Sequence, residues 1–386
     1  NSKHHEYSMT DSFFCAAPWR GLHINPRGDV KTCCAGDPNM LGNLNTHSIQ
    51  EILQGPVMQE IRQTLRQGQA HKYCYNCVQA ERYGRSERDW HNSISPEFNS
   101  AMATDTEHIP TLIDVRWNTT CNLSCNYCGD KCSSKWATLK NIAVKSGARP
   151  YYQQVCEYLA VHREHIREVA LVGGEPLLLP ENERLLDIIP ANCKVTLITN
   201  LSVELDTNKI FKKLAQRRNV GWSISLDNTH QRFEYVRHGG SWALIEKNIQ
   251  KLKALQAAGH RAGIHAVYNI YNATRLMELR MWARDQHIDI TWQSLYQPEY
   301  LDPLRLGDNI KQLAYAELAQ VLAQKDLTSN ERGFFVQAEK NYIEASHPSL
   351  LPQLNDHITE IESVYHRDQQ GLFNKLWPEF REICYG

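Results

Sequence analysis

Three cysteines lie close together near the middle of the chain, at Cys121, Cys125 and Cys128, in the spacing C-x3-C-x2-C. Thiolates on one short loop can hold three irons of a four-iron cluster and leave the fourth iron open to another ligand. The alternative is structural zinc, because Cys132 follows closely enough to complete a set of four thiolates. The spacing therefore predicts a thiolate metal site, either an iron–sulfur cluster or zinc.

Two neighbouring features favour the cluster over zinc. Tyr127 places an aromatic ring directly before the third cysteine, and the segment Gly173-Gly174-Glu175-Pro176 follows the apolar run EVALV. Alone, such a segment is more often an ordinary turn between a strand and a helix. Together with the cysteine motif it forms a specific pattern.

These two motifs together resemble the radical S-adenosylmethionine (SAM) superfamily, over about residues 111–300. The resemblance implies that the three cysteines are catalytic and hold a [4Fe–4S] cluster, whose open iron is chelated by the amino and carboxylate groups of SAM. It implies that Tyr127, Gly173, Gly174 and Glu175 belong to the SAM site. It also implies reductive cleavage of SAM to a 5′-deoxyadenosyl radical, which takes a hydrogen atom from the substrate.

Polar residues at the ends of later strands extend the predicted SAM site. Asn200 ends the run KVTLITN, and Ser225, Asp227 and Arg237 lie in or after SISLDNTHQRFEYVRHGG. The same resemblance places these residues near the ribose or methionine part of SAM, and Asn269 near the adenosyl group. For Asn200, Ser225, Asp227 and Arg237 the alternative is capping of a strand end or a salt bridge.

A second set of cysteines occupies the first fifth of the chain, at Cys15, Cys33, Cys34, Cys74 and Cys77. A hairpin turn at Gly28-Asp29 and a following helix, SIQEILQGPVMQEIRQTLRQG, are expected to bring the distant pairs together.

This segment resembles the SPASM and twitch auxiliary-cluster modules of radical SAM enzymes. In those enzymes the module usually follows the barrel domain that binds SAM, whereas here it precedes it. The resemblance implies one auxiliary [4Fe–4S] cluster held by Cys15, Cys33, Cys74 and Cys77, with Cys34 as a spare or as the ligand in place of Cys33. A four-cysteine zinc knuckle is the alternative.

The charge balance and hydropathy exclude several classes of protein. The 386 residues carry 42 Lys and Arg against 43 Asp and Glu, a net charge of −1. We therefore expect no nucleic-acid partner and no association with anionic membranes. No apolar run is long enough to span a membrane and no signal peptide is visible at the start, so a cytoplasmic location is expected. The clustered cysteines among the 12 in the chain are then expected to bind metal rather than form disulfides.

Apolar runs alternate with helical stretches from Thr111 onward, which predicts an α/β fold with a mainly parallel sheet. Six strands suit either a partial or a complete barrel, and the resemblance to the radical SAM superfamily implies a partial (β/α)6 barrel. The predicted organisation is an auxiliary-cluster module at 1–90, a linker at 91–110, the barrel at 111–305 and a helical region at 306–386. The final helices either close the barrel mouth or cover a core. The six expected strands are 111–117, 168–174, 194–200, 220–227, 262–270 and 288–296.

The resemblance leaves the substrate open. A ribosomally made peptide is the first hypothesis, with a separate leader-peptide-binding protein as a partner. A dehydrogenase acting on a small molecule such as a sugar or aminocyclitol is the second, and a non-enzymatic iron–sulfur or zinc scaffold is the third. A reductant such as flavodoxin or ferredoxin is expected. Cys156, Cys193 and Cys384 are expected to be ordinary thiols, and Cys132 is either buried or near the substrate.

Overall fold

Two compact units make up the chain in a computed structural model, and each has its own contacts. The first unit contains residues 1–118, 147–173 and 181–195, and the second contains 119–146, 174–180 and 196–386. The structure describes residues 13–81, 86–95, 108–143, 149–295, 297–344, 349–366, 369 and 371–380. Most of the predicted linker and Cys384 lie outside these residues.

Nine strands occur in the described part of the chain, and the last six correspond to those predicted from the sequence. Their bounds are β1 Gly21–Ile24, β2 Asp29–Lys31, β3 Gly42–Asn43, β4 Leu112–Val115, β5 Glu168–Leu171, β6 Lys194–Thr199, β7 Val220–Ser225, β8 Arg261–Tyr268 and β9 Asp289–Ser294.

In the first unit the strands follow the order β3-β2-β1-β4-β5. Strand β1 pairs antiparallel with β2 and parallel with β4, in the register Leu22 opposite Ile113, and β4 pairs parallel with β5. The cysteine-bearing hairpin is therefore a continuation of the parallel sheet. Leu22 and Ile113 are buried on one face, while Asp114 on the other face is partly exposed, the alternation expected of paired strands.

In the second unit the strands follow the order β6-β7-β8-β9, and β7, β8 and β9 are parallel. Trp222 and Ile224 are buried, whereas Ser223 and Ser225 on the opposite face of β7 are partly exposed. Parallel strands separated by helices confirm the predicted α/β class. Closure of the strands into a barrel stays a prediction.

Helices precede, separate and follow these strands. The described α-helices are α1 Ala17–Arg20, α2 Ile49–Gln54, α3 Pro56–Arg66, α4 Tyr75–Glu81, α5 Glu87–Ser93, α6 Ser134–Leu139, α7 Tyr152–Val161, α8 Pro180–Ile188, α9 Lys209–Ala215, α10 His230–Val236, α11 Trp242–Ala254, α12 Leu276–Asp285, α13 Asp308–Leu322, α14 Ser329–Glu344, α15 Leu351–Tyr365 and α16 Leu372–Leu376. Among the described residues, no helix is both long and apolar enough to cross a bilayer.

The sequence predicts one helix after the hairpin, and the structure divides it into α2 and α3. Gly55 adopts extended backbone angles and Pro56 is the first residue of α3. A proline has no N–H to donate into a preceding turn, but it is well suited to the first position of a helix. The prediction of one continuous helix over this segment was therefore wrong.

The C-terminal helices bury a group of aromatic side chains in the second unit. Trp377 is fully buried and donates its indole N–H to the Tyr271 carbonyl at 2.9 Å. Its ring lies 5.4 Å from that of Tyr235 and 5.1 Å from that of Phe373. These helices therefore cover a core, which was one of the two alternatives from the sequence.

Candidate functional site

The three central cysteines lie on the loop between β4 and α6. Cys125 is buried, and Cys121 and Cys128 are partly exposed. The backbone N–H of Cys121 donates to the Ser134 hydroxyl at 3.1 Å, and the Trp136 indole N–H donates to the Cys125 carbonyl at 2.9 Å. Helix α6 therefore fixes the loop at two of its three cysteines.

Nitrogen donors point at two of the cysteine sulfurs. The Asn200 side-chain amide lies 3.7 Å from Cys121 Sγ, and the Arg237 guanidinium lies 3.9 Å from Cys125 Sγ. Hydrogen bonds of this kind stabilise ligating thiolates and tune an iron–sulfur cluster. The surroundings of these free thiols thus fit thiolate ligation.

Without a bound metal, the three cysteines of the loop are held in the protonated thiol form. Burial raises the pKa of Cys121, and it raises the pKa of Cys125 to about 11 despite the nearby Arg237 charge. A hydrogen bond with Cys132, followed by burial, raises the pKa of Cys128. Ligation must therefore release protons from these residues. Cys132, whose role was open, is a direct neighbour of Cys128.

A buried ion pair lies beside Cys125. Arg237 Nη2 lies 2.8 Å from Asp227 Oδ2, and both side chains are almost completely buried. The Tyr127 hydroxyl donates to the same Asp227 oxygen at 2.6 Å, and the guanidinium lies over the Tyr127 ring at 5.4 Å. The structure thus brings together four predicted site residues: Cys125, Tyr127, Asp227 and Arg237.

This ion pair is also tied to strand β8. The other Asp227 oxygen accepts the Val267 backbone N–H at 2.8 Å. Burial would lower the pKa of Arg237, but the charges of Asp227, Tyr127 and Cys125 together raise it. Arg237 therefore remains a cation next to the cysteine sulfur.

Glu175 is completely buried, and both of its carboxylate oxygens accept hydrogen bonds. One oxygen accepts from Leu177 N at 3.1 Å and from the Thr199 hydroxyl at 2.7 Å, and the other accepts from Asn200 N at 2.8 Å. Burial raises the pKa of Glu175 to about 7, although these donors oppose the shift. The structure therefore gives Glu175 a positioning role, and its contact with SAM stays a prediction.

The glycine turn lies directly against the loop that leads to Cys121. Glu175 N donates to the Thr120 carbonyl at 2.8 Å, and a Cβ on Gly174 would lie 2.2 Å from that oxygen. Gly173 has a φ of 144°, which disfavours a side chain. Only glycine allows this close approach of the two backbones at Gly174.

Substituting Gly174 by alanine is expected to reduce SAM cleavage strongly and to cost about 1–3 kcal/mol of stability, because the added Cβ forces the turn away from Thr120. Gly129, on the cysteine loop, is a matched control because a Cβ there meets nothing within 4 Å. Thermal unfolding and 5′-deoxyadenosine formation measure the two effects. Equal behaviour of the Gly174→Ala and Gly129→Ala variants would count against this packing.

The surroundings of Asn269 and Ser225, two of the residues predicted to contact SAM, do not indicate a role in binding it. Asn269 is fully buried; its amide donates to the Val267 carbonyl at 2.8 Å and accepts from Tyr271 N at 2.8 Å. Asn269 thus stabilises its own turn. Ser225 is partly exposed at the end of β7. Their contacts with SAM stay predictions.

The N-terminal cysteines of the first unit come from three separate elements. Cys15 precedes α1, Cys33 follows β2, Cys74 ends a short 3-10 helix directly before α4, and Cys77 lies in the first turn of α4. Burial raises the pKa of Cys15, and the charges of the other three thiols raise it further. The structure therefore places these four thiols within electrostatic reach of one another.

Cys34 points toward a different group. Burial raises its pKa to about 12, and the next contribution is the charge of Glu87, to which its thiol is also hydrogen-bonded. This placement favours Cys33 over Cys34 as the fourth ligand. Among the described residues, no three His, Cys, Asp or Glu side chains are spaced to hold a single metal ion.

Several positioning residues were missed by the sequence reasoning. Ser134 and Trp136 hold the cysteine loop, and Thr199 holds Glu175. Apart from these missed residues, Arg62 donates from Nε and Nη2 to the Pro18 carbonyl, at 3.0 and 2.9 Å, and so ties α3 to the segment after Cys15. Ser133, as the N-cap of α6, was a visible signal that a helix begins directly after the cysteines.

Two family models match the chain. The model described as the radical SAM superfamily matches residues 115–273, and the SPASM model, described as an iron–sulfur cluster-binding domain, matches residues 15–78. The two matches do not overlap, and the SPASM match comes first along the chain. No curated protein matches the chain at a significant level.

Several solved structures resemble the chain at low sequence identity. AnSMEcpe with bound AdoMet is 17% identical, with 62% of each chain covered and a TM-score of 0.40. SuiB of Streptococcus suis bound to precursor peptide SuiA is 14% identical, with 71% of this chain and 65% of that chain covered and a TM-score of 0.40. The chain thus spans less than two thirds of the length of these structures. Similarity at this level does not distinguish one activity from another.

Proposed function

We propose that this chain, which belongs to the radical SAM superfamily of enzymes and carries an N-terminal SPASM domain, uses SAM to start a radical reaction on a peptide. The radical SAM domain implies SAM and a [4Fe–4S] cluster, and the SPASM domain implies auxiliary iron–sulfur binding. When bound, the cluster and SAM supply reductive cleavage of the sulfonium C–S bond and a radical able to remove a hydrogen atom from substrate.

The observation that carries the proposal is the ion pair beside the cysteine loop. Arg237 keeps a positive charge 3.9 Å from Cys125 Sγ, and Asp227 holds it there by a 2.8 Å contact. A cation at this distance favours the thiolate over the thiol. In this proposal Cys121, Cys125 and Cys128 hold the cluster and Arg237 stabilises the thiolate form of Cys125.

The glycine turn and Asn200 serve to position the loop in this proposal. Glu175 binds the backbone of Asn200, and the Asn200 side chain reaches both Cys121 Sγ, at 3.7 Å, and the Asn122 oxygen, at 3.0 Å. One buried carboxylate thus links the end of β6 to a cluster ligand. Because the Glu175 carboxylate binds protein groups, we assign the predicted contact with the SAM amino group to the backbone of Gly173 and Gly174.

The N-terminal cysteines hold one auxiliary cluster in this proposal. Cys15, Cys33, Cys74 and Cys77 supply four thiolates, which leave no iron open for a substrate ligand. Such a cluster serves electron transfer or structure rather than direct substrate binding. The mutual effect of these thiols on the pKa of Cys15 supports this set.

The proposal of a peptide substrate is based on the presence of both domains in one chain, because auxiliary-cluster members of the superfamily often modify ribosomally made peptides. Co-expression with a short peptide encoded beside this protein, followed by mass spectrometry, tests it. A mass change that depends on Cys125 is expected. A change found only on a sugar or aminocyclitol would support the second hypothesis from the sequence instead.

Anaerobically reconstituted protein is expected to hold about eight irons in two four-iron clusters and to form 5′-deoxyadenosine from SAM with dithionite. Iron analysis and chromatography measure the two quantities. About four irons with full SAM cleavage would remove the auxiliary cluster from the proposal. Reconstituted protein that binds zinc and leaves SAM intact would overturn the proposed function.

A further inference from the structure

The segment that follows the cysteine loop presents an exposed basic surface. Lys131, Lys135 and Lys140 are exposed, and Leu139 and Ile142 beside them are exposed to 38% and 45%. We call these five residues the basic patch. Residues 129–143 contain these three lysines and one acidic residue, Asp130. The surface is thus positive with a small apolar part.

The lysines of the basic patch lack the ion pairs that other lysines of the second unit form. Lys247 lies 2.9 Å from Glu204, and Lys251 pairs with Asp206. Within the residues that the structure describes, Lys131 and Lys135 form no ion pair with a carboxylate, and Lys140 contacts only the face of the Trp136 ring. Their charges are therefore available to an acidic partner, since unpaired surface charges steer association.

A single side chain connects the basic patch with the cysteine loop. Lys140 Nζ lies 5.4 Å from the centre of the Trp136 ring, and the Trp136 indole donates to the Cys125 carbonyl at 2.9 Å. Trp136 itself is buried. A protein seated on the patch would thus be separated from a cluster-ligand backbone by one aromatic side chain.

We propose that the basic patch is the docking surface of a small acidic electron-carrier protein. This inference rests on the proposed function, which requires one electron for each SAM cleaved. The carrier loses that electron and the cluster site gains it, so no further reactant is needed. Transient redox complexes bury little area, below about 1,200 Å², and depend on complementary charge. Lys135 on α6, with Lys131 before the helix and Lys140 at its C-terminal end, gives the patch the charge that such a partner requires.

The test compares two reductants. Lys131→Glu with Lys135→Glu is expected to lower the rate of 5′-deoxyadenosine formation supported by reduced flavodoxin at least about tenfold at low salt, because charge reversal repels an acidic carrier. The dithionite-supported rate should stay within about twofold, since dithionite needs no docking surface. Raising the salt should reduce the difference between variant and wild type.

Flavodoxin binding provides a measurement that is independent of activity. Calorimetric titration of the reconstituted protein with flavodoxin should show binding about tenfold weaker in the charge-reversed variant. Lys131→Gln with Lys135→Gln, a milder change, should give an intermediate effect. Lys209→Glu with Lys212→Glu, on the exposed face of α9, is the matched control and should leave both rates and binding unchanged.

Several outcomes would overturn the docking surface. One is a charge-reversed variant that binds flavodoxin and uses it as well as the wild type does; another is an equal loss of the 5′-deoxyadenosine rate with flavodoxin and with dithionite. The same loss in the α9 control variant would also overturn it, as would a variant that loses binding to an acidic peptide but not to flavodoxin. Failure of the wild type to cleave SAM with dithionite would instead reject the proposed function. In that case the flavodoxin titration alone decides whether the patch is a docking surface.

Discussion

Replacement of Cys121, Cys125 and Cys128 by alanine is expected to abolish formation of 5′-deoxyadenosine and to remove about four of eight irons. In this proposal the three side chains are the thiolate ligands of the SAM cluster. Without them the open iron that would chelate SAM has no anchor. Iron analysis and anaerobic assays with dithionite measure both losses.

A matched control changes a buried cysteine that has no proposed ligand role. Cys156 lies on α7, where its thiol is hydrogen-bonded to Tyr152. Cys156→Ser should keep all the iron and the full rate. If the triple variant still formed 5′-deoxyadenosine, the assignment of the cluster to this loop would be rejected. A loss of all the iron would indicate that the two cysteine sets do not load independently.

Replacement of Arg237 by glutamine is expected to destabilise the protein by about 3–5 kcal/mol, because it leaves Asp227 charged and buried without its partner. Asp227 is 1% exposed, so solvent cannot replace the guanidinium. The same change removes the positive charge beside Cys125 Sγ. Denaturant unfolding measures the first effect, and iron content after reconstitution measures the second.

A double-mutant cycle separates the ion pair from other effects of the substitution. Arg237→Gln combined with Asp227→Asn should recover part of the lost stability, since no buried charge is then left unpaired. The exposed pair of Lys247 and Glu204 provides the comparison, because an exposed ion pair contributes little and Lys247→Gln should lower the free energy of unfolding far less than Arg237→Gln does. Equal costs for Arg237→Gln and Lys247→Gln would contradict the account of the buried pair.

The sequence predicted the parts of the fold that have a local signal. Each of the six later strands is a short apolar run bounded by polar residues, and all six are present. The division between α2 and α3 also had a local signal, in Gly55-Pro56. The helical periodicity on both sides hid it, because apolar spacing continues across the break.

The candidate site was predictable in its ligands but not in its supports. The cysteine spacing identified the loop, whereas the roles of Trp136 and Thr199 depend on contacts across the fold. Glu175 illustrates the same limit. Its motif indicates a SAM contact, but only the three-dimensional structure shows that both of its oxygens already accept protein hydrogen bonds.

The parallel pairing of β1 with β4 has a consequence for the order in which the chain folds. Residues Gly21–Ile24 lie beside residues Leu112–Val115, although a long stretch of chain separates them. During synthesis the N-terminal segment leaves the ribosome first, and β1 then has an unpaired edge until β4 follows. An unpaired strand edge is a template for aggregation. This edge of β1 is therefore covered only after Leu112–Val115 have been synthesised.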